Sequence, residues 1–232
     1  MQKQGYNLYD DGQVLLVNKP IQWTSFDVVR KLRNMMRIKK VGHAGTLDPL
    51  ATGLLIVCTG KFTKRINEFM SQEKEYTGTI ILGATTPTYD LESVPENVED
   101  IAGITDAQIQ EATIPFTGDI MQLPPAHSAI KVGGKRLYEL ARKGKEVVLE
   151  PRRVSISRFE IIAIEMPVVH FRVVCSTGTY IRSLANDFGA ALGCGGYLGS
   201  LCRTRIGEFS VDMAKSMEEW ETDIKASLAD MA

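Results

Sequence analysis

The chain has 232 residues, 44% of them apolar and 24% charged, the ordinary mix of a folded globular protein. A chain of this length is expected to bury about 70% of its unfolded surface without help from disulfides or metal. Lysine and arginine number 27 against 28 aspartate and glutamate, a net charge of −1, which excludes a uniformly basic nucleic-acid coat but allows a local basic face.

No stretch approaches the roughly 18 consecutive apolar residues of a membrane span. The polar N-terminus, Met1 to Asp10, has no apolar signal core, so a cytoplasmic protein with one domain over 1–232 is expected. Gln13 to Val17 is a short apolar run stopped by Lys19-Pro20, which predicts a strand end. Thr24 and Ser25 are N-cap residue types, and Val28, Val29, Leu32, Met35 and Met36 then recur at helical spacing. Gly53 to Cys58 predicts a buried strand ending at Thr59-Gly60, and Phe62, Ile66, Phe69 and Met70 predict a second amphipathic helix. Tyr76, Gly78, Ile80 and Leu82 alternate with Thr77, Thr79 and Ile81, as on a strand. Thr105 to Gln108 is a capping-box pattern opening a short helix.

Phe159 to Ile164 and Val168 to Cys175 predict two strands joined as a hairpin through Glu165-Met166-Pro167. Ile181, Leu184, Ala185, Phe188 and Leu192 form a helical stripe with Gly193 as its stop. Ser216 to Glu219 is a capping box for the last helix. The fold class expected is α/β (α+β): a mixed, mostly antiparallel sheet flanked by helices. Cys58, Cys175, Cys194 and Cys202 include no C-x-x-C pair, and only His43, His127 and His170 could join them, so no metal site is expected.

Charge is unevenly placed. Arg30 to Lys40 holds six basic residues and no acidic one; Lys131 to Arg153 holds eight basic against three acidic; Asp90 to Asp119 holds eight acidic and no basic. Such cancellation between segments is compatible with a polyanion-binding face and an acidic back, and equally with a set of solvated helix faces.

The most informative stretch is Val41 to Gly53, VGHAGTLDPLATG, between the basic helix and the buried strand. Its glycines permit positive φ or close backbone approach to a ligand, and Pro49 biases Asp48 toward extended backbone. An Asp-Pro pair alone reads most simply as a turn cap, His43 as a hydrogen-bonding loop residue, and Tyr76 as core packing.

Gly42 to Gly53 resembles the signature loop of the TruB-type pseudouridine synthases, a family that isomerises the T-loop uridine of tRNA. Four further stretches resemble the same family in the same order: Lys19 to Ser25, Lys74-Glu75-Tyr76 with Leu82-Gly83, Gln122 to Lys131 with Gly134, Arg136 and Tyr138 to Arg142, and Gly178 to Leu184. The resemblance covers most of residues 14 to 207 and implies the pseudouridine synthase fold with a basic RNA-clamping thumb insertion at about 121–150. Two departures stand out. Gln22 occupies a position where the family usually has glycine. The chain also ends 25 residues after Gly207, where many members carry a further RNA-binding (PUA) domain, so a short form lacking it is expected.

Converting uridine to pseudouridine breaks the C1′–N1 bond, turns the uracil and joins C5 to C1′. Positive character at C1′ calls for a nearby carboxylate, and the resemblance assigns it to Asp48, which could attack the sugar, assist loss of the C2′ proton or add to the base. Burial disfavours an ionised carboxylate and an arginine favours it; the resemblance assigns that partner to Arg182. Tyr76 and Tyr180 are implied to hold the flipped base, with Tyr76 also placed to take the C5 proton. Leu201 is implied to line the uracil pocket, and His43 to fill the gap left by the flipped nucleotide. Lys19, Lys131, Arg136 and Arg142 are expected to contact RNA phosphates, giving salt-sensitive affinity, with loop shape supplying specificity. No cofactor or metal is implied. The partner expected is the T-arm of tRNA, with no membrane. Three rivals stay open: the same chemistry on another RNA, an RNA-folding chaperone, and, more weakly, a nucleosidase.

Overall fold

A computed structural model of the protein describes residues 7–125, 131–132, 135–136 and 149–230, with backbone only for 131–132 and 135–136. In chain order the elements are α1 (Leu8–Asp11), β1 (Val14–Lys19), α2 (Ser25–Met36), β2 (Val41–His43), β3 (Ala51–Thr59), α3 (Ile66–Met70), β4 (Lys74–Leu82), α4 (Asp106–Glu111) and β5 (Gly118–Gln122). Then follow β6 (Lys131–Val132), β7 (Lys135–Arg136), β8 (Arg152–Glu165), β9 (Val168–Cys175), α5 (Ile181–Ala191), β10 (Gly196–Ile206), β11 (Phe209–Ser210) and α6 (Met217–Ala229). The chain forms two compact units, Met1–Tyr76 with Leu201–Ala232, and Thr77–Ser200.

In the first unit β3 pairs antiparallel with β1 and β2 and parallel with the Leu201–Arg203 stretch of β10. Alternation along β3 explains its continuous apolar run. Leu55 and Val57 pack with Leu15 and Val17 against Val28, Leu32 and Met36 of α2 and Met217 and Ile224 of α6. Leu54, Ile56 and Cys58 point the other way, to Phe69 and Ile206. A strand buried on both faces has no polar side to show. The caps expected for α2 and α6 form: Thr24 with Asp27, and Ser216 with Glu219, are reciprocal capping boxes. The helix expected from Phe62 to Met70 is instead a 3-10 turn, Gly60–Arg65, followed by α3. At their junction the Arg65 guanidinium lies 5.2 Å from the Phe62 ring centroid and 5.5 Å from that of Phe69.

In the second unit β8 pairs antiparallel with β9 and β5. Phe188 of α5 packs on Phe159 of β8 at 5.4 Å between ring centroids, and Phe159 meets Phe171 of β9 edge-on at 6.3 Å. All three rings are buried, each worth about 1.5–3 kcal/mol of apolar burial. Thr105 caps α4 as expected, and Gly193 follows the end of α5 at φ 74°. The sheet is mixed and mostly antiparallel, with helices against it, in agreement with the fold class expected. No helix among the described residues is long and apolar enough to cross a membrane.

Candidate active site

Asp48 lies in the loop joining β2 to β3, a hairpin whose last pair before the loop is His43 with Val57. The backbone of this loop is held at several points. Ala44 donates its N–H to Ile56 at 2.9 Å, and Ala51 donates to the Asp48 carbonyl at 3.1 Å. Ser25, the first residue of α2, holds Leu47 twice: its hydroxyl accepts from the Leu47 N–H at 2.9 Å and donates to the Leu47 carbonyl at 3.2 Å. The Pro49 carbonyl accepts from the Gln22 N–H at 2.8 Å and from Lys19 Nζ at 3.3 Å. Gly45 has φ 91° and Gly53 has φ 96°, both in the region that favours glycine. A Cβ on Gly53 would also run into the Arg203 backbone, so the parallel β3–β10 contact requires glycine there.

Two buried cations support this loop. Lys19 has no exposed surface, and its ammonium also donates to the carbonyls of Pro20 at 2.9 Å and Trp23 at 2.6 Å. Burial pushes the Lys19 ammonium down to about 8, against the opposing pull of the Asp48 carboxylate. With no exposed surface and three carbonyl partners, Lys19 anchors the loop from beneath, a different place from the RNA-facing one expected of it. Arg203 is the largest fully buried side chain of the described chain. Its Nε donates to the Leu54 carbonyl at 2.8 Å and its Nη2 to the Gly45 carbonyl at 3.1 Å. His43 is held below its ordinary value, first by burial and then by the Arg203 cation, with a backbone hydrogen bond at Gly45 opposing. Leu201 is the register partner of Ala51, three residues beyond Asp48. Tyr76 is buried on β4.

Tyr180 and Arg182 belong to the second unit. Tyr180 is the N-cap of α5. Arg182 is buried; its Nε lies 3.6 Å from Asp90 Oδ2, and its Nη1 donates to the Thr88 carbonyl at 3.1 Å. Asp90 is equally buried, and its other oxygen accepts the Glu92 N–H at 3.0 Å. No group of three or more His, Cys, Asp or Glu among the described residues is placed to hold a metal ion.

Residues 33–181 match the family described as TruB family pseudouridylate synthase (N terminal domain). The chain belongs to the TruB family of pseudouridine synthases. It is 53% identical over 214 residues to a protein of Parabacteroides distasonis named tRNA pseudouridine synthase B, covering 90% of this chain and 91% of the relative. It is 50% identical over 224 residues to the protein of that name from Flavobacterium johnsoniae, covering 94% and 98%. Among solved structures it is similar to a chain in a Cbf5-Nop10-Gar1 complex, with TM-score 0.72 and 28% identity. That match covers 92% of this chain and 54% of the solved one, so this chain spans about half the length of that neighbour. The protein is thus a pseudouridine synthase, an isomerase acting on RNA.

The first unit holds His43, Asp48, Tyr76 and Leu201, and the second holds Tyr180 and Arg182. Arg142 lies outside the described residues, as does most of the thumb insertion. Of Lys131 and Arg136 only the backbone is described, in the paired strands β6 and β7. The basic run on and after α2 is described. Arg30, Lys31, Arg37, Lys39 and Lys40 are exposed, with Arg30 held to Asp27 at 2.7 Å and Lys31 to Glu221 at 3.3 Å. Exposed pairs of this kind are worth at most about 1 kcal/mol, so both cations can be diverted to phosphate. The sequence does not single out Arg203 or Asp90: Asp90 is one of eight carboxylates in Asp90–Asp119, and Arg203 follows glycines that break any strand alternation.

Proposed function

We propose that this TruB-family enzyme acts on tRNA in the cytoplasm, converting the T-loop uridine at position 55 to pseudouridine with the T-arm as the element it recognises. The observation that carries the reading is the β2–β3 hairpin loop. Its backbone is fixed by Ser25, Gln22, Lys19 and Arg203, so it offers the Asp48 side chain from a support that need not reorganise during the reaction. Relatives that match nine-tenths of the chain bear the name tRNA pseudouridine synthase B, which supports tRNA as substrate.

In this proposal Asp48 stabilises or traps the positive character that develops at C1′ when the bond to N1 breaks. The uracil turns, C5 joins C1′, and Tyr76 takes the C5 proton directly or through water. Product and substrate are isomers, so the atoms balance with no donor and no electron carrier. Tyr180 stacks on the flipped base, which offsets part of the few kcal/mol lost on unstacking. Arg182 supplies positive charge that favours an ionised carboxylate. Leu201 lines the uracil pocket, His43 fills the space the nucleotide vacates, and Arg136, Lys131 and Arg142 add phosphate contacts. The test is to incubate the protein with an unmodified tRNA transcript and map pseudouridine by position. Pseudouridine at position 55 supports the proposal, pseudouridine elsewhere moves the target to another site, and none at all contradicts it.

A further inference from the structure

The thumb insertion leaves the sheet at the end of β5 and returns at the start of β8, where Gln122 and Arg152 are register partners. Gln122 is 2% exposed. Its side-chain amide closes a two-point contact with one residue: Nε2 donates to the Tyr180 carbonyl at 3.0 Å, and Oε1 accepts the Tyr180 N–H at 2.8 Å. The amide thereby takes the place of a strand neighbour for a single residue. One step on, the Ser183 hydroxyl donates to the Leu123 carbonyl at 2.8 Å. Tyr180 has no side-chain cap of its own at the start of α5, so its N–H, an orphan donor of a helix start, is satisfied by Gln122.

We infer that Gln122 is a positioning residue that locks the root of the thumb insertion to Tyr180, so that the segment said to grip RNA and the ring said to stack on the flipped base share one rigid joint. The inference rests on the proposed role of Tyr180 as a base-stacking residue. Arg182 is two residues further along the same helix, so the joint also fixes the start of the turn that carries it. No other uncharged side chain of this length supplies a donor and an acceptor side by side. An ionised glutamate offers acceptors only, whereas a protonated one regains a donor.

That chemistry gives the test. In Gln122→Met both contacts are lost; in Gln122→Glu the carboxylate faces the Tyr180 carbonyl when ionised and restores the donor–acceptor pair when protonated. Burial favours the protonated form. Arg152, opposite on β8, and Arg182, on α5, are the cations on the neighbouring elements, with Asp90 paired to the latter. Their positive charges move the transition without reversing its sign. The expected result is a kcat on tRNA about tenfold or more below wild type for Gln122→Met, the size of one or two net hydrogen bonds, with KM little changed. The kcat ratio of Gln122→Glu to wild type should rise as pH falls from about 8.5 to 5.5, while the ratio for Gln122→Met stays flat. A scaffold residue with no positioning role would lower Tm in both variants and leave kcat of the folded protein unchanged. Hydrogen exchange at the Tyr180 amide is read alongside and needs no activity: it should speed up in Gln122→Met. A pH-independent Gln122→Glu ratio, a wild-type kcat in Gln122→Met, or an unchanged Tyr180 amide overturns the inference. Absence of pseudouridine with the wild-type protein would instead overturn the functional proposal, and the exchange measurement would still decide the joint.

Discussion

Replacing Arg203 by methionine removes two buried donors while keeping most of the side-chain volume. The Leu54 and Gly45 carbonyls each lose a hydrogen bond from a charged group, and such bonds are worth about 1.5–3 kcal/mol each. Part of that loss is returned because a guanidinium no longer has to be kept out of water. The net destabilisation expected is about 2–4 kcal/mol, or a fall in Tm of about 5–15 °C at 2–4 °C per kcal/mol for a chain of this size. A second, independent readout sits next to the first. The Arg203 cation is the second cause, after burial, holding His43 below its ordinary value. Without it the His43 titration should move upward, yet stop short of the ordinary range because burial persists. Urea unfolding measures the first effect, and the ring-proton chemical shift of His43 followed against pH measures the second. A stable variant with an unmoved His43 titration would refute the placement of Arg203 beneath the loop.

Lys19→Met should destabilise the protein increasingly, relative to wild type, as pH rises above 8. The Lys19 ammonium, pushed down to about 8 in the folded chain, keeps its proton to higher pH when unfolded. The unfolded state therefore binds more protons and wild-type stability gains up to about 1.4 kcal/mol per pH unit until the ordinary lysine value is reached; a pH-independent difference in urea unfolding between pH 7.5 and 9.5 would contradict this. Gln22 has φ 67°, and Gln22→Gly should leave Tm unchanged or raise it, since relief of about 1–2 kcal/mol of left-handed strain exceeds or matches the roughly 0.5–1 kcal/mol entropic cost of glycine. A clear fall in Tm would mean that the Gln22 side chain contributes contacts of its own. Asp90→Asn removes a buried carboxylate 3.6 Å from the Arg182 guanidinium and should cost about 3 kcal/mol, read by urea unfolding; an unchanged midpoint would show that this pair adds nothing.

Much of the fold was legible because side-chain spacing maps directly onto burial. Val28, Val29, Leu32 and Met36 lie on one face of α2 and all reach the core, and the Thr24 and Ser216 caps form where their sequence patterns predict. β10 was not legible. Gly196, Gly199 and Arg203 interrupt any apolar alternation, and the glycine and arginine positions make sense only once the strand is paired with β3 and β4. The first half of β8 was hidden for a similar reason, since Arg152, Arg153 and Arg158 surround the buried Val154 and Ile156. Asp48, Tyr76, Tyr180, Arg182 and Lys19 are reached through the family resemblance of short motifs. The support that Lys19 and Arg203 give the loop from beneath is not. Lys19 and Arg203 are cations with almost no exposed surface, and a single sequence gives no sign that a lysine or arginine has been turned inward to satisfy backbone carbonyls.

Asp48, offered by a loop anchored from beneath, is proposed to perform the bond rearrangement while other groups supply affinity for RNA. The most direct test is single-turnover conversion of unmodified tRNA by Asp48→Asn, with tRNA binding measured on the same preparation. The account predicts no pseudouridine at position 55, and a Kd within about tenfold of wild type because phosphate contacts carry most of the affinity. Steady conversion by the purified variant would contradict it.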